Sequence, residues 1–113
     1  MHEYSIVQAL LNQCEELAAQ NDATTVTKVV TKIGVMSGIE THLLETAFET
    51  FKEGTLCAGA EFVINVQKLK LHCNECKEEF EVDKVEYYCI HCKSLNVKVL
   101  DGEEMYLMSL EMC

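Results

Sequence analysis

Two Cys-x-x-Cys pairs constrain the fold of this 113-residue chain more than any other feature. Cys73 and Cys76 form the first pair, Cys89 and Cys92 form the second, and residues 77–88 separate them. Each pair holds two sulfurs on one side of a tight turn, so two pairs can close a tetrahedron around one ion. This spacing is typical of a structural zinc site. The alternative, two disulfides in a secreted domain, is disfavoured because the chain opens without a basic-then-apolar leader.

A filled four-thiolate shell leaves the metal no open position. We therefore expect zinc to organise this part of the chain and not to catalyse a reaction. The same four sulfurs could also hold iron, as in rubredoxin-like electron carriers, although lysine follows both second cysteines where small residues are usual. Metal analysis of the purified protein would separate these two alternatives.

The charge distribution disfavours nucleic acid as a partner. The formal net charge is −10, and all of the nine basic residues are lysines. Lysines and acids balance within residues 68–98, so the acid excess lies outside the cysteine-rich segment. Such a surface repels phosphate backbones. Seven cysteines and no apolar run of membrane-spanning length lead us to expect a cytoplasmic protein without membrane contact.

The first half of the chain predicts helix, strand and helix. Apolar residues recur with helical spacing from Ile6 to Ala18, and the helix should end at Asn21-Asp22. Residues 24–35 are rich in Val, Thr and Ile, as in a strand. A capping box from Ser37 to Glu40 then predicts a second helix that ends near Gly54. Cys14 falls on the apolar face of the first helix and should pack there, whereas the role of Cys57 cannot be read from the pattern.

The second half predicts strands around the metal module. Residues 60–72 alternate on one phase and then on the other, which indicates a bulge where the chain enters the module. A return strand contains Val97 and Val99. The last strand, residues 105–112, is apolar on both faces and should therefore lie inside a sheet.

This order of elements predicts an α+β fold. We expect a small three-stranded sheet with two helices on one face, plus an inserted zinc-ribbon module. The predicted domains are an α/β domain formed by residues 1–68 and 100–113, and a zinc-ribbon domain formed by residues 69–99.

The amino terminus offers a second, different set of metal ligands. The α-amine of Met1, the amide and imidazole of His2 and the amide nitrogen of Glu3 could form a plane of four nitrogens. Planar nitrogen ligation suits Ni(II) or Cu(II) and does not suit zinc. From the residues alone, an exposed, frayed terminus with an incidental histidine is the favoured interpretation.

The chain as a whole resembles the HypA/HybF family of nickel metallochaperones for hydrogenase maturation. The resemblance covers the full length. It is carried by Met1-His2-Glu3-Tyr4-Ser5 before an amphipathic helix, by the two cysteine pairs, and by the closing stretch from Glu104-Met105 to Glu111-Met112. It implies nickel binding at Met1, His2 and Glu3, within the α/β domain, and structural zinc on Cys73, Cys76, Cys89 and Cys92.

The resemblance also implies partners. These are a HypB-type GTPase and the large subunit of [NiFe]-hydrogenase, to which nickel is delivered. Some relatives also serve urease maturation, and the sequence leaves open whether this chain meets urease accessory proteins. An apolar two-faced strand could support a homodimer.

Two other expectations concern histidines and function class. In some relatives, histidines beside the cysteine pairs are proposed to exchange with zinc ligands as pH changes. Here the candidates are His72 and His91, for which a solvent-facing position is favoured. The competing function is a zinc-ribbon module that binds protein or nucleic acid without transferring nickel. We expect no enzyme activity, because no nucleophile–base pair has recognisable motif context and no phosphate-binding glycine loop is present.

Overall fold

A computed structural model describes residues 3–82 and 87–113 of the chain. Met1 and His2 lie outside the described residues. The elements follow in this order: α1 (Glu3–Gln20), β1 (Val26–Gly34), α2 (Thr41–Phe51), β2 (Glu61–Gln67), β3 (Leu69–Cys73), β4 (Glu79–Val82), β5 (Val97–Asp101) and β6 (Met105–Met112).

The chain separates into two compact units. The first unit comprises Met1–Lys32, Ile39–Asn65 and Tyr106–Cys113, and the second comprises Ile33–Gly38 and Val66–Met105. Each unit contains a three-stranded sheet, in the strand order β2-β1-β6 or β4-β3-β5.

In the first sheet, β1 is the central strand. The Thr31 hydroxyl donates to the Val63 carbonyl at 3.0 Å, and β1 and β2 run in the same direction. Parallel neighbours need a crossover connection, and α2 supplies it. On the other side, the Thr24 amide donates to the Cys113 carbonyl at 2.9 Å and the Thr27 hydroxyl to the Glu111 carbonyl at 3.1 Å, so β1 and β6 are antiparallel.

Helical periodicity explains the core of the first unit. Val7, Leu10 and Leu11 on α1 are buried, as are Leu44 and Phe48 on α2. These positions recur every three or four residues, so each helix buries one apolar stripe. The Phe48 ring stacks on Phe62 with 4.3 Å between the ring centroids. The predicted α+β class, with two helices and a three-stranded sheet, is confirmed.

Two sequence-based expectations for this unit are wrong. The last strand, β6, lies at the edge of its sheet, and Tyr106 and Met108 are exposed. Its outer face carries apolar side chains, which led to the prediction of an interior strand. One of them is the Tyr106 ring, and the Lys32 ammonium lies 5.1 Å from the centroid of that ring. The predicted capping box also fails, because Glu40 is itself the N-cap of α2 and its carboxylate accepts a hydrogen bond from the His42 amide at 3.3 Å.

The second sheet is antiparallel, with β3 at its centre. The break at Lys68 between β2 and β3 agrees with the predicted change of phase. Sequence analysis missed β4, a four-residue strand whose buried residues, Phe80 and Val82, alternate with two glutamates. The core of this unit comprises Leu69, Leu71, Cys73, Phe80, Val82 and Cys89, with Met36, Val97 and Val99 packed against it.

Two glycines let separate segments of the second unit approach closely. The Met36 amide donates to the Gly102 carbonyl at 2.8 Å. A side chain at Gly34 would collide with the Gly102 backbone, and Gly102 has a φ of +108°, which favours glycine. Within the described part of the chain, no helix has both the length and the apolar character needed to cross a membrane.

Candidate metal centre

The four cysteines of the two pairs meet at one point in the second unit. The Sγ atoms of Cys73, Cys76, Cys89 and Cys92 all lie within 4.8 Å of one another. The Cys73 and Cys92 sulfurs are 3.6 Å apart, as are the Cys76 and Cys89 sulfurs. Each short separation joins one pair to the other, so the two turns form a single cluster.

The two turns have the same backbone design. The Lys77 amide donates to the Cys73 carbonyl and the Lys93 amide to the Cys89 carbonyl, both at 2.9 Å. Both lysines adopt a φ of +64°, a left-handed conformation that non-glycine residues rarely visit. This reversal directs the chain away from the cluster immediately after the second sulfur of each pair.

Other hydrogen bonds position the two turns. Cys73 ends the buried strand β3, and its amide donates to the Glu78 carbonyl at 2.8 Å. The Cys89 amide donates to the Ser94 carbonyl at 2.9 Å. A side-chain bond of 3.1 Å from Asn74 to Asn96 joins the segments that follow Cys73 and precede β5. The sulfurs are therefore placed by the sheet and by short turns.

Backbone amides also point at the sulfurs. The Cys76 amide donates to the Cys73 Sγ, and the amides of His91 and Cys92 donate to the Cys89 Sγ, each at 3.4 Å. Amide hydrogen bonds favour the thiolate over the thiol. A thiolate is the form that binds a metal ion.

The thiols of the cluster differ in pKa. Burial raises the pKa of Cys89, but hydrogen bonds from the Cys92 and His91 amides and from the Cys92 and Cys76 side chains together lower it to about 6. A backbone hydrogen bond at Glu78 lowers the pKa of Cys76, yet desolvation and the three neighbouring sulfurs raise it to about 12. Four thiolates cannot all be charged at this separation unless a metal ion compensates them.

The donor set fits zinc. In a tetrahedral site with Zn–S bonds of about 2.3 Å, neighbouring sulfurs are about 3.8 Å apart. The two sulfur–sulfur distances of 3.6 Å are close to that value. Four sulfur donors fill the shell, so the arrangement can hold an ion but leaves no position for a substrate.

Comparison with known proteins places the chain in a family. The family model described as "Hydrogenase/urease nickel incorporation, metallochaperone, hypA" matches residues 1–112. The chain belongs to the HypA family.

Relatives and solved structures agree with this assignment. The hydrogenase maturation factor HypA of Aquifex aeolicus is 50% identical over 112 residues, which cover 99% of this chain and 97% of the relative. That of Shewanella oneidensis is 52% identical, covering 99% and 95%. The solution structure of the nickel metallochaperone HypA from Helicobacter pylori is 41% identical, covers 99% of this chain and 97% of that one, and has a TM-score of 0.71.

The histidines that HypA-family resemblance singled out contact carboxylates. His91 Nε2 lies 3.1 Å from a Glu78 carboxylate oxygen, and His72 Nδ1 lies 3.9 Å from one of Glu79. Both carboxylates belong to the segment between the two cysteine pairs. His91 is half exposed, in agreement with the expected solvent-facing position.

The predicted nickel residues of this HypA-family chain are only partly described. Met1 and His2 lie outside the described residues, and Glu3 is the first residue of α1. The Glu3 carboxylate accepts a hydrogen bond from the Glu40 amide at 3.4 Å. The next residue, Tyr4, meets the Phe51 ring edge-on with 5.2 Å between the centroids. Sequence analysis missed the contact with Glu40, since no local pattern links positions this far apart.

Proposed function

We propose that this chain is a nickel metallochaperone that takes up Ni(II) at its amino terminus and delivers it for [NiFe]-hydrogenase maturation. The observation that carries the proposal is the family match over residues 1–112, which includes both the Met1-His2-Glu3 start and the four cysteines. The family description names nickel incorporation into hydrogenase and urease.

The chemistry of the first three residues supports nickel as the cargo. A free α-amine, the His2 imidazole and two main-chain amide nitrogens offer four nitrogen donors in sequence. Ni(II) accepts planar nitrogen ligation, whereas Zn(II) prefers a tetrahedral set. The two proposed sites therefore differ in donor atom and in geometry, which favours a different metal at each.

The start of α1 supports a role for the Glu3 amide. The first four N–H groups of a helix have no intrahelical acceptor, and Glu3 is the first residue of α1. Its amide nitrogen can therefore bind a metal without breaking a helical hydrogen bond. Contacts of Glu3 with Glu40 and of Tyr4 with Phe51 fix this first turn against α2. Nickel would then be bound beside a rigid helix end.

Zinc has a structural role in this proposal. The zinc ligands would be Cys73, Cys76, Cys89 and Cys92. Their sulfurs join the two cysteine turns of a unit whose core is small. Metal binding can supply folding free energy in such units. We propose a HypB-type GTPase and the hydrogenase large subunit as partners, with urease accessory proteins and a homodimer as further candidates. The net charge of −10 disfavours the competing function of a nucleic-acid-binding ribbon.

Nickel titration of untagged protein tests the proposal. His2→Ala should weaken nickel binding by about 100-fold or more, because a chelating imidazole is lost. Zinc content and helical signal should not change. The matched control is His42→Ala, which removes an exposed histidine from α2 and should leave nickel affinity unaltered. Equal nickel affinity in His2→Ala and the parent protein would refute the terminal site.

A second experiment isolates the α-amine. A short peptide left in front of Met1 converts that amine to an amide and removes one donor while all side chains remain. Nickel affinity should fall as it does for His2→Ala. Retention of the same nickel spectrum in the extended protein would show that nickel binds elsewhere.

A further inference from the structure

Two exposed aromatic rings join the start of α1 to the end of α2. The Tyr4 ring meets the Phe51 ring edge-on, with 5.2 Å between the centroids and 82° between the ring planes. Tyr4 is 66% exposed and Phe51 is 41% exposed, so the pair lies at the surface of the first unit and not in its core. An edge-on aromatic contact has a preferred geometry. The pair therefore restricts how the first turn of α1 can move relative to α2.

The first turn of α1 is tied to both ends of α2. The Glu3 carboxylate accepts a hydrogen bond from the amide of Glu40, the N-cap of α2, at 3.4 Å. The next residue, Tyr4, contacts Phe51, the last residue of α2. Two neighbouring residues of α1 thus contact opposite ends of a helix of eleven residues. Together the two contacts fix both the position and the direction of this turn.

These contacts act on a part of α1 that precedes its buried stripe. The first fully buried side chain of α1 belongs to Val7, one turn after Glu3. The amides of a first helical turn have no intrahelical acceptors, and a chain terminus is usually poorly ordered unless other contacts tie it down. The contacts with Glu40 and Phe51 therefore lie where the helix would otherwise fray.

Order in this turn matters for chelation. The proposed nickel site takes its nitrogen donors from residues 1–3, and Tyr4 is the next residue along the chain. Donors that are held near their bound geometry lose less conformational entropy on binding, and they therefore bind more tightly. A ring contact one residue after the last donor can hold the Glu3 amide in place without touching the ion.

We propose that Phe51 is a positioning residue for nickel uptake, which acts by holding the Tyr4 ring and, through it, the backbone that carries the Glu3 amide. Phe51 supplies no donor atom to nickel. This inference rests on the proposed function, because it names a residue that prepares the same terminal site. It assigns a role to the end of α2, a helix that contributes no nickel ligand in that proposal.

Loss of the ring contact should weaken nickel binding moderately. Removal of an aromatic pair is expected to change an equilibrium constant by about threefold to tenfold. Phe51→Ala should therefore raise the dissociation constant for nickel by about that factor. Loss of a ligand, as in His2→Ala, should have a much larger effect. The difference in size separates a positioning residue from a ligand.

Nickel titration of the untagged, zinc-loaded full chain tests the inference. Phe51→Ala is compared with Phe51→Tyr, which keeps the ring and should restore nickel affinity to the parent value. Leu43→Ala is the matched control, because it removes an exposed apolar side chain from the same helix and should leave nickel affinity unchanged.

The titration distinguishes failure of this inference from failure of the proposed function. Unchanged nickel affinity in Phe51→Ala, together with the expected loss in His2→Ala, would overturn the inference and leave the proposed function standing. Equal affinity in His2→Ala and the parent protein would refute the terminal site, and the role of Phe51 would fall with it.

A double-mutant cycle shows whether the ring contact carries the effect. Tyr4→Ala should weaken nickel binding about as much as Phe51→Ala does, because either change removes the same contact. The double variant should then lose no more affinity than either single variant. Additive losses would show that the two rings act separately and would overturn the assigned contact.

Nuclear magnetic resonance gives a readout on the parent sequence, in case a variant folds poorly. Nuclear Overhauser effects between the Tyr4 and Phe51 rings should be present before nickel is added and should strengthen afterwards, because nickel binding and order in this turn are reciprocally coupled. Zinc content and helical signal of Phe51→Ala should match those of the parent. Absence of any Overhauser effect between the two rings in both states would overturn the proposal.

Discussion

The chain uses the same side chain in two opposite environments. At the metal centre, burial raises the pKa of Cys89, but hydrogen bonds from two backbone amides and two cysteine side chains lower it to about 6. In the first unit, Cys14 sits among apolar side chains, and its pKa rises to about 12. Both sulfurs are 0% exposed, so burial alone does not decide the chemistry of a cysteine. Hydrogen bonds from neighbouring groups oppose the effect of burial at Cys89.

The comparison separates two sources of stability. The second unit is small, and a metal ion bound by its four sulfurs would stabilise it. The first unit rests on apolar stripes of two helices against a sheet. Perturbing one source should leave the other largely intact. Variants and pH changes that act on one unit therefore test this division.

Removing one zinc ligand should have the largest effect on stability, and this effect should be confined to the second unit. Cys73→Ser deletes a sulfur at the end of the central strand β3. Structural zinc contributes about 10–16 kcal/mol in small zinc domains, so we expect zinc loss and protease sensitivity between residues 66 and 105. Helical signal from α1 and α2 should persist. Cys113→Ser, at an exposed cysteine, is the control and should retain zinc. Full zinc occupancy in Cys73→Ser would contradict the assigned ligand set.

Alkaline pH should weaken the first unit next. The pKa of Cys14 is raised from 9.0 to about 12, so its neutral thiol stabilises the fold fully below pH 9.0. That stabilisation is lost as pH rises from 9.0 toward 12, because the unfolded chain ionises first. Chemical denaturation across this range, compared between the parent protein and Cys14→Ala, measures the effect. The variant should show a flatter pH dependence, and identical slopes would contradict the prediction.

The cluster should respond to pH in the opposite direction. Protons compete with metal for thiolates, so zinc affinity should fall as pH decreases. A colorimetric chelator can follow zinc release in the parent protein. A release that accelerates at alkaline pH instead would break the contrast between the two regions.

A polar replacement at Cys14 should have a moderate effect on the stability of the first unit. Cys14→Ser buries a hydroxyl in an apolar site, which we expect to cost about 1–3 kcal/mol in the free energy of unfolding. Cys14→Ala should cost less than the serine variant, since it adds no polar group. Zinc content should be unchanged in both. Equal stability of the serine variant and the parent would show that the site is better solvated than its burial indicates.

The smallest expected effect concerns the backbone of the cysteine turns. Lys77→Gly relieves a φ of +64°, and the unfolded chain gains entropy in partial compensation, so stability should rise by about 0.5–1 kcal/mol. Lys93→Gly relieves the same strain but removes the Lys93 ammonium from the Tyr88 ring, 5.4 Å from its centroid. The stability of Lys93→Gly should therefore rise by less than that of Lys77→Gly. Slower zinc loss to a chelator in Lys77→Gly is the measurement.

Local patterns in the sequence predicted the features that depend on neighbours along the chain. Cysteine spacing predicted the cluster, helical periodicity predicted both helices, and Cys14 was expected on the packed face of α1. Features that depend on residues far apart in the sequence were not predicted. The burial of Cys57 cannot be read from its neighbours along the chain, and the bond from Glu3 to Glu40 joins residues with no shared motif. The short strand β4 reads as a charged linker until β3 pairs with it.

The path of the backbone matters for any attempt to transfer the second unit to another protein. The chain passes four times between the two units, after Lys32, Gly38, Asn65 and Met105. A simple insertion needs only two such passages. The two additional passages add residues 33–38 to the second unit. Met36 in this segment packs against the core of the second unit, and Gly34 occupies a gap too narrow for any side chain. A chimera that grafts only residues 66–105 onto another scaffold would therefore leave one wall of that core missing.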